Sequence, residues 1–131
     1  MRFDGHPRLV LVVEDEHENA MLLQFVLEEN GYRVAVAPNG RVGLALLAGE
    51  KPAAILSDFV TPEVSGGELG LTVRANPLLR DIPFVMLRGT SESNIRETFA
   101  DYDAFIEKPF SPEVLVQVVA DLVHHGRPGR R

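Results

Sequence analysis

The sequence predicts an α/β fold, a doubly wound parallel sheet in which five strands alternate with helices. Short apolar, β-branched runs recur along the chain, at Leu9–Val13, Arg33–Ala37, Ala53–Ser57, Phe84–Leu87 and Ala104–Ile106. The stretches between them are long enough for helices and carry helical spacing of apolar residues. Glycine and proline sit at the junctions, where a chain changing direction needs them. A length of 131 residues is that of one ordinary domain, and 45% hydrophobic residues suffice for a single core.

Leu9-Val10-Leu11-Val12-Val13 is unbroken in its apolar character, as expected of a strand covered on both faces. A helix should follow over His17–Asn30, because Ala20, Leu23, Val26 and Leu27 share one face and Gly31 is placed to end it. Val34 and Val36 mark the second strand, and Pro38-Asn39-Gly40 turns the chain into a short helix closed by Gly49 and Pro52. The third strand delivers Asp58 at its end. A long loop, Phe59 to Gly67, leads to a helix that stops near Asn76-Pro77. After the fourth strand, Ser91 to Tyr102 reads as a weakly apolar, loosely packed helix. Ser111-Pro112-Glu113 opens the last helix with a capping hydroxyl, a proline at the first helical position and an acid near the positive dipole end. Val114, Leu115, Val118, Val119 and Leu122 form its apolar face.

Five βα units in this order are the flavodoxin-like plan, with strand order 2-1-3-4-5 and ligands outside the carboxyl ends of the strands. Residues 1–123 are expected to form the domain and residues 124–131 a tail or linker, with its arginines solvated at a frayed end.

Composition removes several functions. With no cysteine there are no disulfides and no thiolate metal site. A net charge of −6 argues against a face that grips a phosphate backbone, so direct nucleic-acid binding by this domain is not expected. The longest apolar run, Leu9–Val13, is too short for a membrane span and short for a secretion signal. A cytoplasmic location is expected. The four histidines are scattered and read as surface or tail residues; His124-His125 has no third metal ligand beside it.

The topology gives the acids a meaning. Glu14 and Asp15 close the first strand and Asp58 closes the third, and those strands are neighbours at the switch point of the expected order. Two such charges about 4 Å apart repel by roughly 4 kcal/mol at an effective dielectric of about 20. The cluster stays ionised only where a cation relieves it; otherwise a carboxyl takes a proton. An all-oxygen ligand set with open positions suits Mg²⁺. Any one acid at a strand end reads equally as a solvated turn residue, and Lys108 alone as a surface lysine before a turn. The set in register, with Lys108 directly after the fifth strand, argues for a site.

The chain resembles the receiver domains of the two-component response regulators, over about Leu9 to Val123. The resemblance rests on Glu14-Asp15 after the first strand, on Asp58 followed by Pro62 and Gly66, and on Lys108-Pro109-Phe110, where the peptide before the proline is usually cis. It implies that Asp58 is the nucleophile that forms an acyl phosphate. It further implies that Asp15 ligates Mg²⁺ directly and Glu14 mostly through water, with the backbone carbonyl of Val60 completing the protein ligands. Lys108 would pair with Asp58, or with a phosphoryl oxygen once one is present. Phe105 stands at the place of the family's switch aromatic, and it reads equally as a core aromatic.

One position departs from the pattern. Where the family carries threonine or serine at the end of the fourth strand, this chain has Arg88, followed by Gly89. A guanidinium is larger, always charged, and donates in a fork suited to carboxylate or phosphate. Arg88 would bind the phosphoryl group, or pair with Asp58 or Glu14 beforehand. Alternatively Thr90 or Ser91 moves in to supply the hydroxyl, using the freedom of Gly89.

The leading expectation is a phosphoacceptor switch, not a turnover enzyme, served by a histidine kinase or a histidine phosphotransfer protein. The face from strand four to the last helix would signal to an output partner. No output domain follows, so the chain is expected to act alone on a partner or to come from a longer protein. The alternative is a pseudo-receiver, a protein-interaction module that works without phosphorylation. A metal-dependent phosphohydrolase is disfavoured, because Val60 stands two residues beyond Asp58, where a second carboxylate would be needed.

Overall fold

In the computed structural model, residues 7–59, 63–88 and 99–130 are described. Strands β1 (Leu9–Val13), β2 (Arg33–Ala37), β3 (Ala54–Asp58), β4 (Phe84–Arg88) and β5 (Ala104–Glu107) form one sheet in the order β2-β1-β3-β4-β5. All four neighbouring pairs are parallel. The described helices are α1 (His17–Glu29), α2 (Gly40–Gly49), α3 (Gly66–Ala75) and α4 (Pro112–His125), with a 3₁₀ turn at Pro128–Arg130. This is the flavodoxin-like plan expected from the element order.

Alternation along the strands divides the core into two layers. Val10, Val12, Leu56, Val85 and Leu87 meet Leu23 and Leu27 of α1 and Leu115 and Val119 of α4. Leu11, Val13, Ile55, Phe84 and Met86 face Leu47 of α2 and Leu69 and Val73 of α3. Strands buried on both faces must be apolar at every position, which is why β1 and β3 show no polar alternation.

Local signals set the helix ends. Gly31 has φ of 94°, and the amides of Gly31 and Tyr32 donate to the carbonyls of Glu28 and Leu27, closing α1 in a Schellman motif. Asn39 caps α2 through the Val42 amide, and Ser111 caps α4 with Pro112 next in line. Helix α3 begins at Gly66, where Ser65 and Glu68 form a reciprocal capping box.

Two expectations are corrected. Of the helix expected over 91–102, residues 99–102 are irregular, and the remainder lies outside the described residues. Its end is not loosely packed: Phe99 is buried, meets Phe84 edge-on at 5.3 Å between centroids, and fills the space that a side chain at Gly70 would need. The tail is not frayed either. Helix α4 runs on to His125, and Arg127 turns back to the amino ends of β4 and β5.

There Asp103, only 4% exposed in its side chain, gathers three donors. Arg127 Nε reaches Oδ1 at 2.9 Å, while Arg74 Nη2 and the Phe84 amide reach Oδ2 at 2.9 and 2.8 Å. Arg74 also donates to the carbonyls of Arg80 and Ile82, and Arg127 to that of Arg80 and to the Asp101 carboxylate. Three backbone segments converge on one buried carboxylate. Arg127→Ala should therefore cost about 1–3 kcal/mol, since it takes one charged donor from a buried acid that keeps two others. Urea unfolding should show a lower midpoint at unchanged slope.

Candidate functional site

The site forms at the carboxyl ends of the central strands because register places the acids side by side. Val13 of β1 pairs with Ser57 of β3, so Glu14 comes level with Asp58. Glu14 and Asp58 are each 2% exposed, whereas Asp15 lies on the surface. Carboxylate oxygens of Glu14, Asp15 and Asp58 all lie within 4.8 Å of one another.

Lys108 enters from the far side of the sheet. Arg88 pairs with Glu107, which sets Lys108 just beyond the strand ends, and its amide donates to the Arg88 carbonyl. The Lys108–Pro109 peptide is cis. From there Nζ donates to Glu14 Oε1 at 2.8 Å and to Asp58 Oδ2 at 3.3 Å. Burial works to lower the lysine's pKa, but the Glu14 hydrogen bond and the charges of Asp58 and Glu14 outweigh it and hold the ammonium above its usual value. Burial pushes the Glu14 carboxyl above its usual 4.5; the Asp58 charge adds to the rise, against hydrogen bonds from Lys108 and the Glu16 amide.

Arg88, the last residue of β4, approaches the other oxygen of Asp58, with Nη1 at 3.5 Å from Oδ1. The contact is an ion pair and falls short of a good hydrogen bond. Asp58 Oδ1 and Arg88 Nε are both buried and have no hydrogen-bond partner among the described residues. Phe105 sits one strand over, half-buried and packed with the α2/α3 layer, with its ring 6.3 Å from Tyr102. Val60, Pro62, Gly89, Thr90 and Ser91 lie outside the described residues.

Gly66 stands out in the sequence, but its close approach to Asp58 does not, and Glu63 goes unread there. Gly66 abuts the site from below: its amide donates to the Phe59 carbonyl at 2.8 Å, and a Cβ there would fall 2.3 Å from the Asp58 carbonyl oxygen. Glu63 has φ of 67° and is tied by Arg41 Nε at 2.8 Å and by Asn39 Nδ2 at 3.2 Å. The capping signal Ser-Gly-Gly-Glu at 65–68 would have located the helix start; nothing local marks the pairing of Glu63 with Arg41. A cavity of about 490 Å³ near the amino ends of β1 and β2, lined by Leu9, Leu11, Tyr32 and Leu47 among others, contains none of the site residues.

A hard divalent cation suits the donors present. The set is all oxygen, it is anionic, and one buried oxygen, Asp58 Oδ1, has no hydrogen bond among the described residues.

This fold, with an acid pair after the first strand, an aspartate ending the third and a lysine beyond the fifth, is the arrangement of two-component receivers. The chain belongs to that family: the response regulator receiver domain model matches residues 10–120. It is 32% identical over 124 residues to the phosphate regulon transcriptional regulatory protein PhoB of Pseudomonas aeruginosa, covering 93% of this chain and 54% of that protein. The chain thus spans about half the length of that relative. The signal receiver domain of a signal transduction histidine kinase from Syntrophus aciditrophicus superposes with a TM-score of 0.84 at 34% identity, over 89% of this chain and 90% of its own. The receiver domain of a sensor histidine kinase from Pseudomonas aeruginosa PAO1, with magnesium coordinated in its active-site cleft, shares the fold at a TM-score of 0.84 and 24% identity, over 91% of this chain and 99% of its own. No helix among the described residues is long and apolar enough to cross a membrane.

The raised pKa of Glu14 predicts a pH dependence in metal-free buffer. Just above pH 4.5 folded Glu14 keeps a proton that unfolded Glu14 has lost, so stability falls as pH rises through that window. Glu14→Gln removes this contribution. The urea midpoint of the variant should gain on that of the wild type between pH 4.5 and 7, and equal slopes in the two proteins would contradict the assignment.

Proposed function

We propose that the domain is a phosphoacceptor switch in which Asp58 takes a phosphoryl group from a phosphohistidine on a kinase or phosphotransfer protein. An oxygen of Asp58 bonds to phosphorus as the P–N bond of the donor breaks, and the leaving imidazole takes the electron pair. The product is an acyl phosphate. The observation that carries this reading is Asp58 itself: a buried carboxylate at a strand end, steadied on one oxygen by Lys108 and, among the described residues, without a hydrogen bond on the other.

The roles of the neighbours follow from placement. Lys108 neutralises Asp58 and Glu14 beforehand, then offers Nζ to a phosphoryl oxygen. Glu14, Asp15 and Asp58 would hold Mg²⁺, with the Val60 carbonyl as a further ligand. The ion, when bound, neutralises charge on the transferring group and helps orient it. The receiver of Pseudomonas aeruginosa described with magnesium in its cleft supports this assignment by likeness. Phe105, and Thr90 as a source of the hydroxyl, remain the candidate relays toward the β4–β5 face.

The phosphodonor needs a surface beside the site. Helix α1 starts two residues after Asp15, and its outer side exposes Met21, Leu22 and Phe25 together. Clustered apolar side chains at this spacing suit the helical face of a donor protein. Phe25→Ala should slow transfer from a phosphohistidine protein at least severalfold, while leaving acceptance from acetyl phosphate unchanged.

The pseudo-receiver reading gains from one observation, the ion pair of Arg88 with Asp58, which gives the acid a structural partner. Intact-mass measurement separates the two. With acetyl phosphate and Mg²⁺, the wild type should gain a single phosphoryl group that hydroxylamine removes, and Asp58→Asn should gain none. No adduct on the wild type under any donor would favour the pseudo-receiver.

A further inference from the structure

Three anions and two cations meet at the strand ends, and the cations are not equivalent. Lys108 is hydrogen-bonded to two carboxylates and is 18% exposed in its side chain, so it is fixed in the floor of the site. Arg88 is 35% exposed, meets Asp58 Oδ1 at 3.5 Å, and leaves Nε buried without a hydrogen bond among the described residues. A guanidinium at hydrogen-bonding distance would engage two donors on a carboxylate. The Arg88 contact, Nη1 to Oδ1, is longer than a good hydrogen bond. Arg88 is drawn in by charge, and its side chain stays partly exposed to solvent.

Its position decides what it opposes. Arg88 shares a strand face with Phe84 and Met86, so it lies toward the α2/α3 layer, and it meets Asp58 Oδ1 while Lys108 meets Oδ2. Asp58 Oδ1 is the oxygen that Lys108 leaves to other partners, and it belongs to the acid that the metal and the phosphoryl group share. A positive charge there and a divalent cation compete for the same anion.

We infer that Arg88 is a built-in counter-cation of Asp58, which must be displaced or repelled when a divalent metal binds and which therefore holds the metal affinity of this receiver low. The inference rests on the proposed function, since it concerns the metal that supports phosphoryl acceptance. Charge is the agent, not shape. A unit charge a few ångströms from a divalent ion weakens its binding on the order of tenfold, even at the dielectric of water. Acceptance by Asp58 then requires either high metal or a partner that draws Arg88 outward. Phosphorylation would thereby depend on docking more than in a receiver with a neutral hydroxyl at this position.

The test is Mn²⁺ binding followed by electron paramagnetic resonance, with Mg²⁺ measured by competition, on the full chain. Arg88→Met keeps the length of the stem without its charge, Arg88→Thr introduces a hydroxyl, and Arg88→Lys keeps the charge without the fork. Met and Thr should each tighten binding about tenfold, and Lys should stay near wild type. Circular dichroism at each step verifies the fold of all three variants. Asp15→Asn should abolish most binding in the wild-type background. If Asp15→Asn abolishes binding but Met, Thr and Lys all match wild type, the site stands and the counter-cation is refuted. If no variant and no wild-type protein binds Mn²⁺, both the inference and the metal site fall together.

Discussion

Glu14 and Asp58 are buried next to each other, and two like charges held that close gain from a positive charge beside them. Lys108 provides it, and the rest of the site is arranged so that it can. The lysine comes from beyond β5, crosses the end of β4, and meets acids that end β3 and follow β1. Four strands must therefore finish at the same level. The register of the sheet does this, with Val13 beside Ser57, Asp58 beside Leu87 and Arg88 beside Glu107. Slipping one strand by a residue would flip its side chains to the other face and take either the acid or the ammonium away. The charge cluster thus depends on the apolar core that fixes register, and its chemistry is a property of the whole sheet.

The backbone close to Asp58 is held as firmly. Gly66 lets the start of α3 pass against the Asp58 carbonyl, and the capping box of Ser65 and Glu68 sets where that helix begins. Arg41 and Asn39, at the start of α2, hold Glu63 in its left-handed conformation. In the proposed role of Asp58 as a nucleophile, such support would matter more than further ligands.

Much of this was legible in the sequence, and the reasons are physical. Buried parallel strands must be apolar throughout, so Leu9–Val13 and the run before Asp58 announced themselves, the latter within one residue. The alternation of strands and helices then fixed the topology, which brought Glu14, Asp15 and Asp58 into one crevice before any coordinate was known. Gly31 ended α1 as expected because only a residue free of Cβ strain takes φ of 94° cheaply. What stayed hidden was non-local. Phe99 reads as one aromatic in a polar stretch, and only Gly70, 29 positions earlier, makes its place in the core. Arg127 reads as a tail arginine, because nothing near it shows that Asp103 lies within reach. Glu63 is equally silent. Local patterns report the chain's own periodicity, whereas pairings across the fold need the fold first.

The two ends of the sheet solve the same problem in opposite ways, and the contrast separates a staple from a site. At the amino ends of β4 and β5, Asp103 has both oxygens hydrogen-bonded, by two arginines and a backbone amide, and both guanidiniums also donate to carbonyls. Each charged group there is already hydrogen-bonded to a partner of the opposite sign or to the backbone, so a ligand would meet groups that are already engaged. At the carboxyl ends, among the described residues, three carboxylates share two cations, Asp58 Oδ1 has no hydrogen bond, and Arg88 has a buried nitrogen without a partner. A saturated network lowers the energy of one structure and resists change. An unsaturated one sits higher and gains when charge of the right sign arrives. The same residue types, acids with arginine or lysine, make both; the difference is whether donors and acceptors balance. On that criterion the strand ends around Asp58 are the part of this molecule prepared to take on something new, and Arg88 is the member with least to lose by moving.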